Sequence, residues 1–471
     1  MAAFSTESSR VLGLQRGAVS RDHDLGDSPY GVPETERRRI LYLSPRVKFV
    51  ASLVMALAWA FISYRVAGRW LADLTQVAGS ALAHFAILFI AIVPGFMNAF
   101  LACGLLLDRR PLRRRIEAYP GISIIIAAYN EEASIASTLQ SIARQNYPGP
   151  LDVLVVNDGS TDNTLRESRR MSYPWLRVIG LTRNGGKSGA LNAALALVRH
   201  PLTITLDADS LLHRRALTNI VGRLLSDPPD TAAVAGAVLV RNSRLNLVTK
   251  IQEWDYFHGI ASVKRLQSLY HGTLVAQGAF SIYRTSVLRE VGGWPDCVGE
   301  DIVLTWSILR KGHRVGFAED AVAFTNVPAT VSQLVRQRQR WSRGLIEAFR
   351  YHWPLLFHRR LTTLFIWWNL AFPALDFAYT ALFVPGVLLA LVGIYWLAGP
   401  MTLLVLPLGL LINELMFKVQ SRMFAEQRLK VRRNASGLIA YVLFYSLILQ
   451  PACVAGYLKE ILGMRKNWGT K

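Results

Sequence analysis

The chain of 471 residues combines 52% hydrophobic residues with a formal net charge of +21. A soluble domain rarely joins these properties, whereas apolar spans flanked by basic segments do so naturally, so the composition indicates a membrane protein. The arginines flank apolar spans and do not pattern a soluble groove, which excludes nucleic acid as a partner and points to the head groups of a lipid bilayer.

Residues 1–45 are polar, rich in Ser, Arg, Asp and Gly, and carry Glu36, Arg37, Arg38 and Arg39 near their end. They read as a cytoplasmic tail, disordered at least in its first half. No cleavable signal is evident, because the first apolar run begins only near Phe49. Within residues 46–111, the run 49–64 forms a first span and 81–107 a longer second one. DRRPLRRR follows at 108–115, and its five arginines place the next domain in the cytoplasm and the chain in the inner (plasma) membrane. Cys103, Cys297 and Cys453 are widely spaced and odd in number, so they suggest neither a disulfide framework nor a zinc cluster.

The domain at 112–330 begins with GISIIIAAYNEE, LDVLVVNDGSTDNT, RNGGKSGALNAAL and LTITLDADS. The short β-branched runs 123–127 and 153–156 are bounded by turn residues, the pattern of strands buried on both faces of a parallel sheet. The unit is βαβαβ, an α/β Rossmann-like arrangement in which ligands bind beyond the carboxyl ends of the strands. Those ends carry Asn130 and Glu131, then Asp158, then Asp207 and Asp209. If strand geometry persists to Asp209, the last two carboxylates share a face and suit Mg²⁺ or Mn²⁺ shared with a substrate diphosphate. The plain alternative is acidic turn residues at a strand corner. The turn at 184–189 is not a nucleotide-hydrolysing P-loop, because the first glycine of that motif would fall on Leu181. Its amides and Lys187 can instead face phosphate oxygens at the start of a helix near Ser188, or Lys187 is simply solvated.

The run AVAGAVLVRN reads as a strand, and residues 247–270 as a helix with Ile251, Trp254, Phe257 and Ile260 near one face, Trp254 and Phe257 being core. HGTLVAQGAFSIYR reads as a loop entering a strand. Gly299, Glu300 and Asp301 open an amphipathic helix, where spacing alone makes the acids capping residues. Residues 331–360 form an amphipathic interfacial segment, with Leu334, Trp341, Leu345 and Phe349 beside Arg336, Arg338, Arg340, Arg343 and Arg350. Such a helix would lie on the leaflet with its arginines among head groups. Residues 361–460 return to the membrane through the apolar runs 361–398, 401–417 and 437–458, three or four spans, before a tail at 461–471. The basic loop 418–433 favours five spans in total over six, although Arg465 and Lys466 argue the other way.

SIIIAAYNEE, VVNDGSTD, GGKSGALN, LDADS, GED at 299–301 and QRQRW at 337–341 occur in this order. The set resembles the motifs of the inverting family-2 glycosyltransferases, specifically the membrane-embedded processive synthases. Within that group the chain is most similar to bacterial poly-β-1,6-N-acetylglucosamine synthases, with hyaluronan, chitin, cellulose and curdlan synthases as relatives. The resemblance implies a cytoplasmic GT-A catalytic domain inserted between transmembrane helices, a UDP-sugar donor, a growing glycan acceptor and room for an accessory membrane or export subunit. It makes Asp301 the catalytic base, although glycine replaces the usual threonine of that motif, and Glu300 its neighbour at the substrate. Asp158 and Asp207 would hold the nucleotide and Asp209 the metal. Gln337, Arg340 and Trp341 would shape the acceptor end and meet the diphosphate, and the small Gly278 would let backbone approach the acceptor sugar. A non-processive transferase adding one sugar to a lipid carrier would share the metal site without needing an acceptor channel. A scaffold with a degenerate transferase domain would be expected to lose these acids.

Overall fold

The computed structural model describes residues 43–110, 113–114, 116–398 and 405–465. The expected tail, apart from its last residues, lies outside these. The described chain opens on α1 (Pro45–Val66), whose first turn is capped by Ser44 and started by a proline whose missing N–H costs nothing there. A short helix, Gly68–Ala78, which the sequence reading did not anticipate, leads to α2 (Ser80–Leu106). Lys48 of α1 donates to the carbonyl of Arg109 at 2.7 Å, tying the two helices together beside the domain.

An eight-stranded mixed sheet forms the centre of the domain. Its strands are β1 (Ile122–Ala128), β2 (Leu151–Asn157), β3 (Leu176–Gly180), β4 (Leu202–Leu206), β5 (Leu211–Leu212), β6 (Thr231–Val240), β7 (Phe280–Arg284) and β8 (Arg314–Thr325). They lie in the order β3-β2-β1-β4-β7-β6-β8-β5. β3, β2, β1 and β4 are parallel, β7 runs antiparallel between β4 and β6, and β8 is parallel to β6. Successive residues of β1 and β2 point to opposite faces. Ile122, Ile124, Ile126, Val153 and Val155 therefore join one core, while Ile125, Leu154 and Val156 join the other. The edge strand β3 was missed because it is only half-buried and carries Arg177, which pairs with Asp152 of β2.

The remaining helices that matter to the site are α3 (Gly186–Leu195), α4 (Leu247–His258), α5 (Glu300–Arg310), α6 (Val331–His352), α7 (Thr363–Leu391), α8 (Val405–Glu426) and α9 (Ala435–Ile461). Among the described residues α1, α2, α7 and α9 are long and apolar enough to cross a membrane. α9 nevertheless touches the domain side at both ends. Asn434, which caps it, donates to the Lys250 carbonyl at 2.9 Å, and Glu460 binds Arg343 and Arg350 of α6. The arginines after α2 also have protein partners: Arg110 pairs with Asp108 and Glu319, and Arg113 with Asp320.

Two of the arginines on α6 do not fit the alternative in which they all lie among head groups. α6 packs against both α5 and α9. Arg343 is buried, donating to Glu460 at 3.0 Å and to the carbonyls of Met464 and Arg465. Arg338 is buried as well, paired with Asp255 of α4 at 2.8 Å. A charge packed between helices needs a partner, and these two have carboxylates in place of head groups.

Candidate active site

The carboxyl ends of β1, β2 and β4 line one rim of the sheet. After β1 the chain turns sharply at Asn130, whose positive φ of 55° is one that asparagine tolerates. Asn130 is held from the neighbouring loop, its N–H donating to Ser160 Oγ and its side-chain oxygen accepting from the Thr161 N–H. The Glu131 N–H donates to Thr164 Oγ1 at 2.7 Å, and its carboxylate accepts from Ser134 at 2.6 Å. Buried Asp158 follows β2 and accepts from the N–H of Gly185 at 2.8 Å, which joins the NDG turn to the start of α3. Gly159 next to it needs both its positive φ and its bare Cα, since a Cβ there would meet the Asn184 backbone at 2.8 Å.

β4 ends at Leu206, so the alternation expected to put Asp207 and Asp209 on one face does not persist, and the pair sits in a turn. Their side chains find different partners. Asp207 accepts from the Lys187 ammonium at 2.7 Å, whereas Asp209 accepts from Thr325 at the end of β8 at 3.2 Å. Burial, then Asp207 and Glu131, push the Asp209 carboxyl up to about 6. Neighbouring negative charge disfavours ionisation of a buried carboxyl, and a nearby cation would relieve it.

Lys187 also lies 3.5 Å from Glu300. Burial would lower its pKa, but Asp207, Glu300 and Asp301 together hold it raised. Gly278 gives this ammonium clearance, since a Cβ there would come within 2.6 Å of it.

Glu300 and Asp301 open α5 in its first turn, and the N-cap itself is Gly299, which has no side chain to cap it. Asp301 Oδ1 accepts only from the adjacent Ile302 N–H, at 2.8 Å, and the side chain is half-buried. The turn is anchored from α6, where buried Glu347 accepts from the Gly299 N–H at 2.8 Å. Gly299 and Gly344 meet backbone to backbone: a Cβ on Gly344 would lie 2.7 Å from the Gly299 Cα. That crossing joins the GED turn to the helix that carries Gln337, Arg340 and Trp341. Arg340 contributes to the electrostatics of Glu300, whose carboxyl burial raises to about 7 against Lys187 and Arg340, with Asp301 adding to the rise. Gln337 is buried with an unpartnered side-chain oxygen. Trp341 is 46% exposed, and the Arg338 guanidinium lies 4.0 Å over its ring.

Residues the sequence reading missed support this arrangement. Glu347 is one, and Lys264 is another: its ammonium donates to the Val275 carbonyl and to Gln277, and burial pushes it down to about 8 while Asp301 opposes the shift. A lysine just past the helical turn Gly259–Val263 offers no sequence signal of its own.

No group of three or more His, Cys, Asp or Glu among the described residues is arranged to hold a metal by itself. The fit is nonetheless good for a cation shared with a diphosphate. Asp209 and Asp207 supply hard oxygens, and the buried Asn157 Oδ1, Ser188 Oγ and Ser210 Oγ, each next to a site residue, have no hydrogen-bond partner.

Residues 120–344 match the family described as glycosyltransferase like family 2. The chain is 28% identical over 291 residues to a poly-β-1,6-N-acetyl-D-glucosamine synthase of Staphylococcus epidermidis, covering 58% of this chain and 69% of that protein. It is 29% identical over 236 residues to the Staphylococcus aureus synthase of the same name, covering 49% of this chain and 55% of that protein. In fold it is similar to the mannosyltransferase PcManGT from Pyrobaculum calidifontis, solved in complex with GDP-Man and Mn²⁺, with a TM-score of 0.54 and 20% identity over 84% of this chain and 100% of that one. Residues 120–344 therefore form a family 2 glycosyltransferase domain of the GT-A fold, and the chain is a glycosyltransferase.

Proposed function

We propose that this enzyme is an inverting, processive synthase that extends a β-linked glycan from UDP-N-acetylglucosamine and passes it through the membrane helices. The observation that supports the reading is the Gly299–Gly344 crossing, which joins the Asp301 turn to the helix that carries Arg340 and Trp341, a helix packed against apolar α9. The similarity to the staphylococcal poly-N-acetylglucosamine synthases supports the choice of sugar.

Asp158, with Gly185 bound to it, faces the uridine end of the donor, and Lys187 faces its phosphates from the turn before α3. Asp207 and Asp209 would hold Mg²⁺ or Mn²⁺, which when bound neutralises the departing diphosphate. Asp301 accepts the proton of the acceptor hydroxyl as that oxygen forms its bond to the anomeric carbon. The bond from that carbon to the diphosphate breaks on the opposite face, its electron pair leaves with UDP, and α becomes β. Arg340 adds positive charge near the leaving group, and the exposed ring of Trp341, held from behind by Arg338, gives a sugar ring a wall.

The test supplies the purified full chain with UDP-N-acetylglucosamine, UDP-glucose and UDP-glucuronate, separately and together, followed by linkage-specific glycosidases. Polymer from UDP-N-acetylglucosamine alone, cut by a β-1,6-specific enzyme and abolished by EDTA, is expected. Single-sugar addition to a lipid, or polymer only from two donors, overturns the reading.

A further inference from the structure

A cavity of about 600 Å³ lies where the domain meets the membrane helices, and its lining is basic. Arg46, His271, Arg314, His358, Arg359 and Arg360 face it, and Asp230 is the single acid among the lining residues. Asp230 is already engaged by Arg314 Nε at 2.7 Å. The Arg360 guanidinium donates to the Gly312 and His313 carbonyls. No lining carboxylate is left for the exposed Arg46 and Arg359. Burial first, then the guanidinium groups of Arg314, Arg360 and Arg46, depress the His271 pKa in spite of Asp230.

The depth of the cavity is set by its neighbours. Arg46 is the second residue of α1, and Thr363, also in the lining, opens α7. Trp353 and Phe357, 59% and 69% exposed and packed edge to face at 6.1 Å, immediately precede His358. Exposed aromatic rings next to a basic run at the ends of apolar helices mark the head-group level of a bilayer. The cavity is also remote from the chemistry. Arg314 begins β8 and Thr325, the partner of Asp209, ends it, and their partners on β6, Thr231 and Val240, are nine residues apart, about 30 Å at the rise of an extended strand.

We propose that this cavity binds a phosphoanion, and that its occupant is the head group of an anionic lipid from the leaflet on the domain side. Guanidinium forks match phosphate oxygens in geometry and charge, and a head group here would bridge the starts of α1 and α7 to the starts of β6 and β8. The lipid thus fastens the catalytic domain to its membrane helices, a role independent of which sugar the enzyme transfers.

The test places the full chain in nanodiscs of phosphatidylcholine with or without phosphatidylglycerol, then measures by mass spectrometry the lipid retained after detergent extraction, alongside Tm. Wild type is expected to retain phosphatidylglycerol and gain Tm from it, whereas Arg46→Ala/Arg359→Ala retains it about tenfold more weakly and loses the gain. Both arginines are exposed, so their removal leaves the packing intact. The control Arg428→Ala/Arg432→Ala, exposed arginines elsewhere in the chain, is expected to behave as wild type. In a second arm inorganic phosphate is titrated into phosphatidylcholine nanodiscs. Saturable binding there that the Arg46/Arg359 variant loses, without selective lipid retention, overturns the lipid and assigns a soluble phosphoanion. Equal behaviour of all three proteins in both arms overturns the site.

Discussion

The Lys187 ammonium sits 2.7 Å from the Asp207 carboxylate, at the point where the turn before α3 meets the turn after β4. With Glu300 at 3.5 Å, it forms ion pairs with both the turn after β4 and the GED turn. Its removal should therefore affect donor binding first. Lys187→Met is expected to weaken UDP binding by about tenfold or more, the loss of a charge-assisted contact. Calorimetric titration of UDP checks it, and unchanged affinity would assign the lysine to structure alone.

Asp301→Asn should fold, bind UDP and lose at least about a hundredfold in polymer synthesis, because its carboxylate anchors nothing beyond its own turn. Turnover within a few fold of wild type would remove Asp301 from the proton transfer.

Cation binding should depend on pH through Asp209. Its folded pKa of about 6 is raised by burial and by Asp207 and Glu131, so the metal-free protein holds a proton there that the unfolded chain releases at lower pH. The sign follows: without metal, this group stabilises the fold most at low pH, and that contribution declines as pH rises through about 6. A cation must displace the proton, so apparent Mn²⁺ affinity should fall by up to about tenfold per pH unit below about 6 and level off above it. Titrations between about pH 5 and about pH 7 read this directly, and a flat profile would sink it.

Arg340 and Arg343 should separate activity from stability. Arg343 binds Glu460 and two carbonyls in a buried fork, so Arg343→Ala is expected to destabilise the protein by about 3 kcal/mol, read as a lower Tm. Arg340→Lys should leave Tm within error while lowering kcat, because the planar fork at the leaving group is lost. Equal Tm losses would return both residues to a packing role.

Gly344→Ala tests the helix crossing. The new methyl would lie 2.7 Å from the Gly299 Cα, backbone that cannot swing aside, so α5 and α6 must part. Synthesis is expected to fall by more than about tenfold while UDP binding, governed by Asp158 and Lys187, changes little. Equal losses of both would mean that the crossing supports the whole domain.

The local pattern alone marked the runs 123–127 and 153–156 and the strand leading to Asp207, which lie within Ile122–Ala128, Leu151–Asn157 and Leu202–Leu206, because fully buried parallel strands are written as uninterrupted apolar runs ended by polar turns. It also put Asn130, Asp158 and Asp207 at the ends of those runs, since the rim of a parallel sheet follows from strand direction. The half-exposed edge strand β3 lacked that signature. Which partner each charge takes was a matter of tertiary structure only. An amphipathic helix with arginines on it is the same string of letters whether it lies on lipid or against α9, and only the distant Asp255 and Glu460 decide that Arg338 and Arg343 are buried. The same holds for Lys187, Gly278, Glu347 and Lys264. Their roles depend on which helix ends and turns approach one another across the fold, and a local sequence pattern carries periodicity but not those long-range distances.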